Sequence, residues 1–196
     1  EEARDYVGVG CVEPDTPGYE YGWHDSSSLN LALILQMAIN HGRCIDCSES
    51  CPFHAKCAGA GKCLGIDTGS IEDFTSFDQV LEAYDRQMAF WCDQMVSTIN
   101  KIDLCHQRLK PLPYLSLLID DCIAKGQDVS CGGARFNQNG PQAVGIGTAT
   151  DGLAAIKQLI FDEKKKSGTE LLQALRDTWE GHEPLYILVN SEHMHQ

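Results

Sequence analysis

Apolar residues crowd the stretch from Leu29 to Ile39, broken only by Asn30 and Gln36. Leu31, Leu35 and Ala38 recur at helical spacing, and Leu33 and Ile34 make the segment apolar almost all round. That pattern predicts a helix from about Ser27 to Asn40, buried on most sides. Asp25 or Ser26 is the expected N-cap and Gly42 the residue just past its end. A second periodic run opens at Ser76-Phe-Asp-Gln79, a capping-box pattern, and continues to about Ile102 with Leu81, Met88, Met95 and Ile99 as its apolar stripe. Further helices are expected over Leu115–Lys125, stopped by Gly126, over Gly152–Lys165, capped by Thr150 or Asp151, and over Leu171–Trp179, capped by Thr169 and closed by Gly181. Tyr6, Val7 and Val9 suggest a short strand before Gly10, and Ala143–Thr148 suggests another. Several helices with few strands fit an α/β class.

Between the first strand and the first helix lies GVGCVEPDTPGYEYGWHD, residues 8–25. Pro14, Pro17, Gly18 and Gly22 argue against a helix, so a loop is expected after the strand. Cys11 and Glu13 stand two residues apart, which in extended backbone turns both side chains to one face. A thiol and a carboxylate so placed can present a hydrogen-atom carrier and a proton acceptor to one substrate. A buried thiol beside a surface acid is the plainer reading of the spacing.

Charge and composition narrow the classes. Across 196 residues the formal net charge is −13, which disfavours a nucleic-acid or anionic-membrane partner. No apolar run approaches the 18 or so residues of a membrane span, and no signal peptide precedes the first strand. The 10 cysteines, without secretory features, point to a reducing cytoplasm. Five of them, Cys44, Cys47, Cys51, Cys57 and Cys63, fall within residues 43–70, a Cys-, Gly- and Pro-rich stretch expected to be a loop or insertion. His41 and His54 lie nearby. Thiolates at that density could hold zinc or an iron–sulfur cluster, or simply line a loop without metal. Gly145-Ile-Gly147 lacks the spacing of a dinucleotide fingerprint, and no phosphate-loop lysine follows.

The blocks GCVEP and PGYEYGWHD, together with LKPLPYLSLLIDDCIAKGQDV, GGARFNQNGPQAVGIGTATDGLAAIKQLIFDEKK and ELLQALRDTWEGHEPL, closely resemble glycyl radical enzymes of the pyruvate formate-lyase-like superfamily. Within it they resemble the branch of diol and hydroxyproline dehydratases and arylacetate decarboxylases. The resemblance implies that residues 1–185 are part of a catalytic domain folded as a ten-stranded α/β barrel, an internal fragment of a longer subunit, with 186–196 an unmatched tail. It implies a thiyl radical at Cys11, a general base at Glu13, and Asp25 as a ligand to a substrate hydroxyl, with a helix N-cap as the competing role. His24 is a further substrate-site candidate, or an ordinary packed histidine. Arg135 follows GGA where hydroxyarylacetate decarboxylases carry a carboxylate; it could pair with a substrate carboxylate or with an internal acid. The cofactor implied is a glycyl radical in an RVxGY motif, which this sequence lacks and which is expected on a C-terminal domain. The partners implied are a radical S-adenosylmethionine activating enzyme, a small-molecule substrate, the rest of the subunit and, at full length, a second copy. The leading expectation is dehydration of a small hydroxylated substrate. Arylacetate decarboxylation and a non-catalytic Cys-rich metal-binding or interaction piece are the alternatives.

Overall fold

The computed structural model describes residues 6–10, 13–45 and 64–185. Its contacts divide the chain into two compact units, one of residues 1–29 and 93–142, the other of residues 30–92 and 143–196.

In the first unit, strand β1 (Val7–Val9) pairs antiparallel with β2 (Glu13–Asp15), with Val7 opposite Asp15, Gly8 opposite Pro14 and Val9 opposite Glu13. The expected loop is therefore partly strand. Pro14 tolerates this because a two-stranded ribbon has an open edge, where a missing N–H breaks no ladder. Strand β3 (Glu20–Asn30) pairs with β4 (Phe136–Val144). Phe136 N–H donates to the Tyr19 carbonyl, Gly22 faces Gln138, and Gly140 faces Trp23 and His24. These pairs advance together along both segments, so the two strands are parallel. Behind them Cys122, Val129 and Ala134 form a small core with Tyr21, Leu112, Leu115 and Ile119.

Three expectations fail here for identifiable reasons. The helix over Leu115–Lys125 is split into α3 (Pro113–Ser116) and α4 (Cys122–Lys125). Asp121 between them has φ +72°, a left-handed conformation that breaks the ladder. The strand expected over Ala143–Thr148 ends at Val144, because Gly145, at φ +79°, starts a helix at once. Asp25 caps nothing: it lies inside β3 at φ +57°.

The second unit holds most of the core. Helix α1 (Leu31–Ala38) starts later than expected, because the extended chain runs on to Asn30. The Asn30 side chain then accepts from Leu33 N–H, making it the true N-cap. Gly42 does adopt positive φ, and its N–H returns to the Met37 carbonyl. Helix α2 (Phe77–Leu109) belongs to this unit as far as Cys92 and to the first unit from Asp93 on. It begins where the Ser76–Gln79 pattern placed it; the Gln79 side chain accepts from the N–H groups of Thr75 and Ser76. Its buried positions are Val80, Ala83, Gln87 and Ile99, while Leu81 is exposed. Of the expected stripe, Met88 and Met95 are half-buried, and the buried line also takes in a glutamine: Gln87 Nε2 donates to Thr68 Oγ1 and to the Ile66 carbonyl. Helix α5 (Ile146–Ile156) runs into a π-helical turn over residues 157–162, so Thr150 and Asp151 are helix interior rather than caps. Helix α6 (Gly168–Arg176) is capped by Ser167, not Thr169, through a reciprocal box with Glu170. Leu35, Ile39, Ile71, Val80, Ile156 and Leu172 close the core.

Candidate functional site

The β1–β2 ribbon and the β3–β4 pair bring chemistry together in the first unit. Glu13 opens β2 and is half-buried. Its carboxylate folds back on Gly10, the residue before Cys11: a Cβ on Gly10 would stand 2.7 Å from Glu13 Oε2. Gly10 also has φ +62°, the left-handed conformation that favours glycine, whereas the Glu13 side chain could swing aside from a Cβ. Cys11 itself lies outside the described residues.

From β4, Gln142 reaches the same carboxylate. Its Nε2 donates to Glu13 Oε1 at 3.0 Å and also to Asp25 Oδ1. An ionised carboxylate only accepts, so the amide must turn its NH₂ end toward the two acids, and its two hydrogens suffice for one bond to each. Two acids 12 residues apart in sequence are thus gathered on one nitrogen. Gln142 was missed from the sequence. Its signal was available only as the polar residue after Gly140-Pro141, and nothing in spacing links it to Glu13.

The neighbourhood is acidic. Burial pushes the Glu20 carboxyl above its usual range; nearby Asp15 adds to this, while the Thr16 N–H and His24 oppose it. One oxygen each of Asp15 and Glu20 is buried with no hydrogen-bond donor among the described residues. A proton held between the two acids would satisfy both, the direction in which burial already drives Glu20. His24, half-buried on β3, lies close enough to Glu20 to favour its ionised form.

Arg135 is not part of the Gln142 cluster. It precedes β4, is exposed, and lies over the rings of Tyr19 and Phe136, 5.8 and 5.7 Å from their centroids. A separate polar cleft in this unit is lined by Tyr21, Trp23, Asp103, His106 and Asn139. There the Trp23 ring packs 4.3 Å from His106, and Asn139 donates to Asp103.

Of the five candidate metal ligands, Cys44 is half-buried and Cys47, Cys51, Cys57 and Cys63 lie outside the described residues. Among the described residues no group of three His, Cys, Asp or Glu side chains is placed to hold a metal. No described helix is long and apolar enough to cross a membrane.

Comparison with known proteins gives this site its setting. The family model described as pyruvate formate lyase-like matches residues 1–193. The (2S)-3-sulfopropanediol dehydratase of Klebsiella oxytoca is 49% identical over 191 residues, covering 97% of this chain and 22% of that protein. The trans-4-hydroxy-L-proline dehydratase of Clostridioides difficile is 35% identical over 98% of this chain and 23% of its own length. Among solved structures, the glycerol-bound B12-independent glycerol dehydratase of Clostridium butyricum superposes with a TM-score of 0.84 at 38% identity, over 95% of this chain and 22% of that one. The chain therefore spans under a quarter of the length of these relatives, and its mixed helices and strands correspond to a stretch of their α/β barrel. With the family model covering nearly all of it, the chain belongs to the pyruvate formate lyase-like family of glycyl radical enzymes.

Proposed function

We propose that this chain contributes the hydrogen-abstracting and proton-accepting half of a glycyl radical dehydratase acting on a small vicinal diol or similarly hydroxylated substrate. The observation that carries the reading is the pairing of Glu13 and Asp25 on Gln142, directly beside Gly10. Elimination of water from a diol radical needs two oxygen contacts: a base at the hydroxyl on the radical carbon, and a polar group at the hydroxyl that leaves. Two carboxylates joined through one amide are spaced for adjacent hydroxyls.

The family's glycyl radical supplies the unpaired electron that lets the Cys11 sulfur take a hydrogen atom from substrate carbon. The close fit of Glu13 against the residue preceding Cys11 supports such a use of the thiol. Glu13 then removes the hydroxyl proton from the substrate radical, which raises electron density at carbon and drives out the neighbouring hydroxyl. Asp25 hydrogen-bonds that departing hydroxyl. The proton taken by Glu13 is the one the hydroxyl needs to leave as water, so the elimination consumes no net proton. Cys11 finally returns its hydrogen to the product radical.

The sulfonated substrate named for the Klebsiella relative suggests an anionic diol; Arg135, separated from Gln142 by about 23 Å of extended strand, is too far from the acid pair to meet its charge. The complete enzyme would need a radical S-adenosylmethionine activating partner and would work as a homodimer in the cytoplasm. The test is a chimera in which residues 1–185 replace the matching stretch of the Klebsiella dehydratase. Activated anaerobically, it should form the glycyl radical signal and release water from a diol. Glu13→Gln should lower turnover by about 10²- to 10⁴-fold while leaving that signal intact. A chimera that carries the radical signal yet dehydrates no diol would refute the reading.

A further inference from the structure

Gln142 is the residue in the site that has no acid–base or radical chemistry of its own, and its placement asks for a role. It sits on β4, 129 residues from Glu13 and 117 from Asp25, yet its single amide nitrogen donates to both. It is half-buried, as is Glu13, so the bond between them is partly sheltered from water, while Asp25 and its bond are exposed. Ionised acids gathered this closely repel each other. Two N–H donors set between the acids relieve that repulsion without adding a charge. They also fix the distance between the two oxygens that the proposed mechanism assigns to adjacent substrate hydroxyls.

We propose that Gln142 is a positioning residue for the acid pair: its amide holds Glu13 and Asp25 in register with each other, and it acts on substrate only through them. This rests on the dehydratase reading for its consequence in turnover, but not for the clamp itself. Among uncharged side chains, only an amide offers two N–H donors on one nitrogen. A carboxylate at 142 would add a third repelling acid, and a thioether would keep the length while donating nothing.

The experiment uses two readouts of the Gln142→Met variant. Crystal structures of the full 196-residue chain, with and without the substitution, are compared at the Glu13 and Asp25 carboxylates. Loss of the two donors should let the two ionised carboxylates turn away from each other. In the activated chimera, Gln142→Met should lower kcat by about 10- to 100-fold with KM for the diol changed far less, and Gln142→Glu should be worse than Gln142→Met. A merely structural glutamine would lower the unfolding midpoint and leave both carboxylates where they were. Unmoved Glu13 and Asp25 carboxylates in a folded variant overturn the clamp. Displaced carboxylates with no effect on turnover in an active chimera overturn its role in positioning. A chimera inactive even with Gln142 present overturns the dehydratase reading instead, and the pair of structures still decides the clamp.

Discussion

Gly22 is the point at which the parallel β3–β4 pair is most sensitive. A Cβ built there would lie 2.4 Å from the Gln138 carbonyl oxygen, 2.9 Å from its Cγ and 3.1 Å from its carbonyl carbon. Ordinary contact with the oxygen begins at 3.4 Å, so Gly22→Ala requires a displacement of about 1 Å. The nearest obstacle is backbone, which cannot rotate aside, so β4 itself must shift. Overpacking of this kind costs about 1–3 kcal/mol. Gln142 lies four residues further along the same strand, and a misplacement of about 1 Å in a site costs about 100-fold in rate. Gly22→Ala should therefore lower the urea midpoint of the chain and depress turnover of the chimera by about that factor. The control is Gly147→Ala in α5, where a Cβ meets nothing within 4 Å and φ is not left-handed. It should be neutral or stabilising by up to about 1 kcal/mol. Equal unfolding midpoints for the two variants would refute the reasoning.

Asp128 accepts from Leu112 N–H, Ser116 Oγ, and both Ser130 N–H and Oγ. Burial opposes its ionisation, but these bonds together hold its carboxyl below the usual range. Asp128→Ala should cost about 2–3 kcal/mol at neutral pH, discounted for partial exposure. Because the folded carboxyl is the more acidic, that stability is full above the unfolded value and lost as pH falls through the folded one. The gap between wild type and variant, read from urea melts, should narrow below about pH 4. Gln87→Leu strips donors from the Thr68 hydroxyl and the Ile66 carbonyl in the second unit, and should lower stability by about 1–3 kcal/mol in the same melts.

What the sequence made legible was what short spans determine. The apolar run behind α1 and the Ser76–Gln79 opening of α2 are local patterns, and both elements lie close to where they were expected. The errors came from conformations that residue type only weakly encodes. Asp25 and Asp121 adopt positive φ without being glycine, and each defeated a local rule: one removed a cap, the other split a helix. Gly145 marked a helix start that resembled a strand interior. Glu13 and Asp25 were visible through the resemblance of their motif, whereas Gln142 is tied to them only through the pairing of distant strands. Burial of Gln87 was equally invisible, since its partners at Ile66 and Thr68 belong to another segment.

The parallel pairing of β3 with β4 has a consequence for how the chain acquires its structure. Joining Gln142 to Asp25 closes a loop of 117 residues, and the length-dependent part of that closure costs about 4 kcal/mol of chain entropy. Helix α5 (Ile146–Ile156) packs on α1 (Leu31–Ala38) across a similar length of chain, so that closure is shared: once one of the two pairings has formed, the other adds little further entropy. Substitutions at the clamp should therefore leave the closure itself in place and lower stability only by the bonds they remove.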